Sequence, residues 1–217
     1  MSENTKYVVV YQKNGIAKYI SHLDFVRAMN RILRRGSVPV AYSQGFNPHP
    51  LLSFALPLSV GTTGGAELLE LTLSEPLSPE VLLRRLNGAA PGGVSFVRAY
   101  VTEDKNAIKG IAFAKYLVTL KQMPEEQQMD AFLQNAQIVV LKRTKSGEKE
   151  TDIRPMIAEI KMLPGGALSM ILAAGNTQNL KPETVLLAME KYIPGFCGAY
   201  SAIHRETLFD INLKPLA

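Results

Sequence analysis

Histidine and arginine are the residues of this chain best suited to chemistry. There are three histidines, His22, His49 and His204. A pair of imidazoles, one giving and one taking a proton, can cleave RNA while a guanidinium stabilises the charged intermediate, and His22 and His49 are the catalytic candidates on that reading. Three histidines would also be enough ligands for zinc, but their spacings match no compact ligand motif. Arg27, Arg31, Arg34 and Arg35 recur at steps of four, three and one. The first three therefore share one side of a helix, spaced to follow a phosphate backbone, and the row is the candidate nucleic-acid-binding surface. Solvated arginines on an amphipathic helix are common, so the row has a purely structural reading as well.

The second feature is Ser43-Gln44-Gly45-Phe46-Asn47-Pro48-His49-Pro50. Each proline restricts the residue before it, which predicts a stiff arm holding His49 outward. Tyr42 and Phe46 border the arm, where aromatic rings can stack on unpaired bases or fill a core. Ser21, His22, Asp24, Ser43, Gly45, Phe46, Asn47 and His49 together outline a candidate recognition pocket. The plainer alternative is a turn, since Gly, Pro, Asn and Ser favour turns for local reasons. Gly61-Thr62-Thr63-Gly64-Gly65 reads as a loop without the Gly-Lys-Ser/Thr ending of a phosphate-binding loop, which argues against nucleotide hydrolysis. Glu67 and Glu70 stand three apart, so on a strand they face opposite sides and form no carboxylate pair. Asp152 and Arg154 share one side of an extended segment, where a structural salt bridge is expected.

These residues need elements to position them. Residues 7–12 read as a strand, dense in β-branched and aromatic residues, before the turn Lys13-Asn14-Gly15. Ser21 and Asp24 form a Ser-x-x-Asp capping box that opens a helix ending at Arg35-Gly36, with Val26, Met29 and Leu33 on its apolar face. Extended pieces follow at 38–42, 52–56 and 67–73, then a helix opened by Ser78-Pro79-Glu80 and a strand at 94–101. The second half gives a strand at 116–120, a helix at 125–135, strands at 138–142, 157–162 and 168–173, a helix at 182–192 and a strand at 200–209. Lys145-Ser146-Gly147-Glu148-Lys149-Glu150 reads as a charged turn. The expectation is an α+β protein of two tandem ferredoxin-like βαββαβ units with antiparallel sheets, 1–107 with the inserted Pro-His-Pro arm and 108–217. Two echoes support duplication: Leu77-Ser78-Pro79-Glu80 with Leu180-Lys181-Pro182-Glu183, and Ala90-Pro91-Gly92 with Ile193-Pro194-Gly195.

Composition sets the outer limits. With 217 residues, 47% of them hydrophobic, the chain can bury a full core. A net charge of +5 favours a polyanionic partner only where it is clustered. The single cysteine, Cys197, makes no internal disulfide and cannot hold an iron-sulfur cluster alone, so no cofactor is expected on this chain. Neither a signal core nor a bilayer-length apolar run is evident, which predicts a cytoplasmic protein without membrane contact.

Lys13-Asn14-Gly15, Ser21-His22-Leu23-Asp24, Ser43 to Pro50 with Leu52-Ser53-Phe54, and Asp152-Ile153-Arg154-Pro155 resemble the motifs of the radical SAM-linked proteins, an uncharacterised bacterial family of the DUF2344 type. The resemblance spans nearly the whole chain, though Thr62-Thr63-Gly64-Gly65 departs from the more polar stretch expected before Glu67. It implies a radical SAM protein as partner, one that carries the cluster this chain cannot hold. The architecture is also similar to RNA-binding and RNA-cleaving Cas6-type proteins, an analogy of fold alone. The resulting expectation is a non-catalytic adaptor that binds structured RNA for a radical SAM RNA-modifying enzyme. The alternatives are an RNA endonuclease using His22 and His49, and a subunit that docks the radical SAM protein without touching RNA.

Overall fold

A computed structural model of the chain describes residues 4–104, 106–144, 147–175 and 178–216. It is a mixed α+β structure that divides into two compact units, Met1–Ile111 with Lys214–Ala217, and Ala112–Leu213. Among the described residues, no helix is long and apolar enough to cross a membrane.

Unit one runs β1 (Thr5–Lys13), α1 (His22–Arg35), β2 (Leu52–Phe54), β3 (Thr62–Leu73), α2 (Pro79–Ala89) and β4 (Val94–Val101). Its strands lie in the order β4-β1-β3-β2, each pair antiparallel. Strand alternation divides the residues between two faces. Tyr7, Val9 and Tyr11 of β1 and Leu69, Leu71 and Leu73 of β3 form a core with Phe25, Met29, Ile32 and Leu33 of α1 and Leu82 and Leu86 of α2. Leu52 and Phe54 pack against the same core. By the same alternation, Lys6, Ser53, Glu70 and Thr72 belong to the face opposite α1 and α2, which also carries the buried Val8, Val10 and Leu68.

The apolar side of α1 thus differs slightly from the sequence expectation. Phe25 and Ile32 are buried with Met29 and Leu33, while Val26 is half-buried, because the helix turns its stripe one residue toward β2. Ser21 caps the helix by accepting the Asp24 N–H at 3.2 Å. Gly36 closes it, donating to the Ile32 carbonyl at 2.8 Å. A Cβ at Gly36 would stand 2.7 Å from the Arg85 carbonyl oxygen, so glycine is what lets α1 and α2 approach. The expected loop at 61–65 is corrected: β3 begins at Thr62, and Thr62 to Gly65 belong to the strand.

Unit two runs β5 (Phe113–Leu120), α3 (Glu126–Gln134), β6 (Val139–Thr144), β7 (Gly147–Asp152), β8 (Ile157–Leu163), β9 (Ala167–Ala173), α4 (Pro182–Tyr192) and β10 (Tyr200–Phe209). The order is β10-β5-β9-β8, again antiparallel, with β6 and β7 forming a separate two-stranded ladder. Strand β7 has no counterpart in the sequence reading, because Gly147-Glu148-Lys149-Glu150 is charged and weak in β-propensity and is held extended by pairing with β6. Lys145 and Ser146 of the expected charged turn lie outside the described residues. The paired sequence echoes fall at corresponding points: Pro79 and Pro182 begin α2 and α4, and Pro91-Gly92 and Pro194-Gly195 precede β4 and β10.

The expected Asp152–Arg154 salt bridge is replaced by contacts to backbone. Asp152 Oδ1 accepts from the N–H groups of Ile138 and Arg154, both at 2.9 Å. The Arg154 guanidinium donates to the carbonyls of Leu133 and Ile157, at 3.2 and 3.4 Å. This knot ties the end of α3 to the starts of β6 and β8.

Candidate nucleic-acid interface

The helical layer of unit one concentrates positive charge. Arg27, Arg31, Arg34 and Arg35 of α1 are all exposed, as is Arg84 of α2. The acidic residues of the two helices are Asp24 and Glu80, each in a first turn where a carboxylate suits the helix dipole. Arg27 is engaged locally, its Nη1 lying 2.8 Å from Asp24 Oδ1. Asp24 also accepts from the Ser21 hydroxyl at 2.8 Å. That hydroxyl, then the Arg27 guanidinium and the more distant charge of Arg31, holds the Asp24 carboxyl below the usual carboxylate range. Arg34, Arg35 and Arg84 make no side-chain hydrogen bond or ion pair with any described residue. Arg85 donates to the Ser37 carbonyl at 2.6 Å, which brings α2 against the end of α1. Arg84 and Arg85 escaped the sequence reading because they are isolated in the chain and join the row only through helix packing.

The arm is rooted in β3. Ala41 donates to the Thr72 carbonyl, Leu51 to Ala41 and Thr72 to Leu51, at 2.8 to 3.0 Å. Above this root, Ser43 N–H donates to the His49 carbonyl at 2.9 Å, and His49 N–H donates to Ser43 Oγ at 3.1 Å. Ser43 Oγ also lies 2.8 Å from His49 Nδ1. His49 clamps the base of the arm through these bonds and is itself exposed. The tip is Gln44 to Pro48, all exposed, with Gly45 at a φ of +127° that side chains rarely adopt. Phe46 is 105% exposed, and Tyr42 at the root is half-exposed.

The candidate pocket residues do not come together as expected. Ser21, His22 and Asp24 occupy the start of α1, and the His22 ring packs edge-on against Phe54 with centroids 5.5 Å apart, on the helix-bearing face. His49 lines a cavity of about 200 Å³ with Lys6, Ser53, Glu70 and Thr72, whose strand positions lie on the face opposite α1 and α2. Ser53 and Phe54 are neighbours on β2, so alternation sends the two histidines to opposite sides of the sheet. His204 lies on β10 in unit two. Glu67 and Glu70 also part across the sheet, Glu67 being buried on the core side with Lys13. Lys13 Nζ donates to the Ile20 carbonyl at 2.7 Å and stands 5.2 Å from the centre of the Phe25 ring. Burial lowers its pKa, and the Glu67 charge offsets part of that shift. Among the described residues, no group of His, Cys, Asp and Glu could hold a metal ion.

The fold has a counterpart among solved structures. A chain in "Crystal Structure of a Cbf5-Nop10-Gar1 Complex" superposes with a TM-score of 0.54 at 10% identity, over 93% of this chain and 48% of that one. This chain thus spans about half of that neighbour, and the likeness is one of fold. In sequence, residues 6–182 match the family described as "Uncharacterized protein conserved in bacteria (DUF2344)", and the chain belongs to that family. No curated protein matches it.

Proposed function

We propose that the protein is a non-catalytic RNA-binding adaptor, built of two tandem ferredoxin-like units, that presents structured RNA to a radical SAM RNA-modifying enzyme. The order βαββαβ, with the second and fourth strands of the core set flanking the first and third, supports the ferredoxin-like reading of each unit. The observation that carries the RNA reading is the arginine excess on the α1/α2 layer, where Arg34, Arg35 and Arg84 are unpaired among the described residues and a phosphate backbone would neutralise them. Phe46 at the arm tip supplies a ring for an unpaired base. The sequence motifs and the lone cysteine are the grounds for a cluster-bearing partner.

The test is binding of a structured RNA across a salt series. The doubly substituted Arg31→Ala/Arg34→Ala protein should bind more weakly, with a log affinity against log salt slope shallower by roughly 1–2, since each phosphate contact contributes about 0.7–0.9. Unchanged affinity and slope would refute the reading. The wholly exposed Phe46 also suits a docking subunit that touches only protein. Nuclease treatment before pulldown of a radical SAM partner separates the two, because RNA-bridged capture is then lost.

A further inference from the structure

Unit two leaves one sheet edge open. Strand β8 ends the order β10-β5-β9-β8, and β9 is its strand partner among the described residues. Its ladder is irregular between Ile157 and Glu159, then runs evenly from Glu159 opposite Ile171 to Leu163 opposite Ala167. On the outer side of an edge strand, every second residue turns its N–H and C=O away from the sheet, where another strand can pair with them. Beside that edge, α3 and β8 flank an open groove of about 340 Å³. Met129 and Leu133 of α3 and Ile160 and Met162 of β8 give it an apolar floor, and Glu126 and Asp130 of α3 give it an acidic rim. Both carboxylates are exposed, and neither makes an ion pair or side-chain hydrogen bond with a described residue. They stand four apart on one helix and repel each other. The first-turn position of Glu126 suits the helix dipole, but Asp130 lies a turn further on, where that effect has faded. Lys161 also lines the groove, but its ion pair is with Glu159 of its own strand.

We propose that this groove docks an extended basic segment of a partner protein, added as a strand beyond β8 with lysine or arginine at alternate positions. The backbone of the segment pairs with β8, and its side chains at i and i+2 enter the groove. Two such positions lie about 6.7 Å apart along a strand. Glu126 and Asp130 are separated by about 6 Å of rise along α3, so two alternate cations match the two carboxylates. The aliphatic stems of those cations lie over Met129, Leu133, Ile160 and Met162, while the charged heads stay in water at the acidic rim. A second copy of the chain is the poorer occupant. Antiparallel pairing of two β8 edges about a two-fold axis sets both α3 helices on one side of the joined sheet and brings like carboxylate rims toward each other. The occupant of this groove is a cation where the arginine layer of unit one takes an anion, so the two sites are tested separately.

The probes are two fluorescent peptides of one composition, the first with lysines alternating with valines and threonines, the second with its lysines contiguous. Each is titrated by anisotropy against the intact chain freed of nucleic acid. The alternating peptide should bind about tenfold more tightly than the contiguous one. The Glu126→Gln/Asp130→Asn protein, checked for folding by thermal melting, should lose about tenfold in affinity for the alternating peptide, whereas Arg31→Ala/Arg34→Ala should leave that affinity unchanged. Backbone N-methylation at either the odd or the even residues of the alternating peptide removes the donors along one of its two edges. One pattern should abolish binding and the other preserve it, because only one edge faces β8. Equal affinity of the two peptides overturns the proposal, as does a folded Glu126→Gln/Asp130→Asn protein that keeps full affinity, or a pair of N-methylation patterns that act alike. A chain that sediments as a dimer with its β8 amides protected from hydrogen exchange gives the edge to a second copy and overturns it as well.

Discussion

At the scale of single residues, the arm and the first helical turn carry the sharpest expectations. Phe46 contacts solvent on every side. Phe46→Ala should therefore leave stability within about 0.5 kcal/mol, as for other exposed sites. It should cost RNA affinity about 1–3 kcal/mol, the usual worth of a base-stacking ring. Melting and anisotropy on the same preparation read both numbers. Asp24 gives a prediction in pH. Its folded carboxyl is held below the ordinary value by Ser21, Arg27 and Arg31, so the stabilisation it lends is fully present above the unfolded pKa. That contribution is lost as pH falls through the lowered folded value. An NMR titration of the Asp24 side-chain carboxyl should show a midpoint below that of a model aspartate, moving upward in Arg27→Ala. A midpoint indifferent to Arg27 would contradict the assignment. His22 and His49 show where residue-level reading reached its limit. Their types and the prolines around His49 were visible in the chain, but which face each imidazole meets depends on the parity of Ser53 and Phe54 on a three-residue strand.

At the scale of elements, local chemistry explains why α1 was legible and β7 was not. The Ser21 cap, the Asp24 side chain and the Gly36 stop all act within a few residues of the bonds they satisfy. By contrast, β7 is extended because β6 lies beside it, a cause outside its own sequence. The same division applies to the arginines: the row on α1 follows from helical spacing, whereas Arg84 and Arg85 enter through the close approach at Gly36. Gly36→Ala should cost about 1–3 kcal/mol in chemical denaturation, because a methyl group would press on the Arg85 carbonyl. In unit two, Asp152 satisfies the N–H groups of Ile138 and Arg154. Asp152→Ala should destabilise by about 1–3 kcal/mol through those abandoned donors, with RNA affinity unchanged once the protein is folded. A loss of binding at native fold would move the functional site toward the Asp-Ile-Arg-Pro knot.

At the scale of the whole molecule, a modest net charge of +5 acquires meaning from where it sits. Arg27, Arg31, Arg34, Arg35 and Arg84 of α1 and α2 face solvent, while Arg85 and Arg154 turn their guanidinium groups to carbonyls and Lys13 is buried beside Phe25. A polyanion would therefore be drawn to the α1/α2 layer of unit one. The most direct measurement follows the arginine Nε–H resonances of the isotopically labelled protein during titration with a structured RNA at low salt. The account predicts that Arg31, Arg34, Arg35 and Arg84 shift together and return as salt is raised, while Arg154 stays in place. Saturating RNA that leaves those four unmoved, or that shifts Arg154 instead, would contradict it.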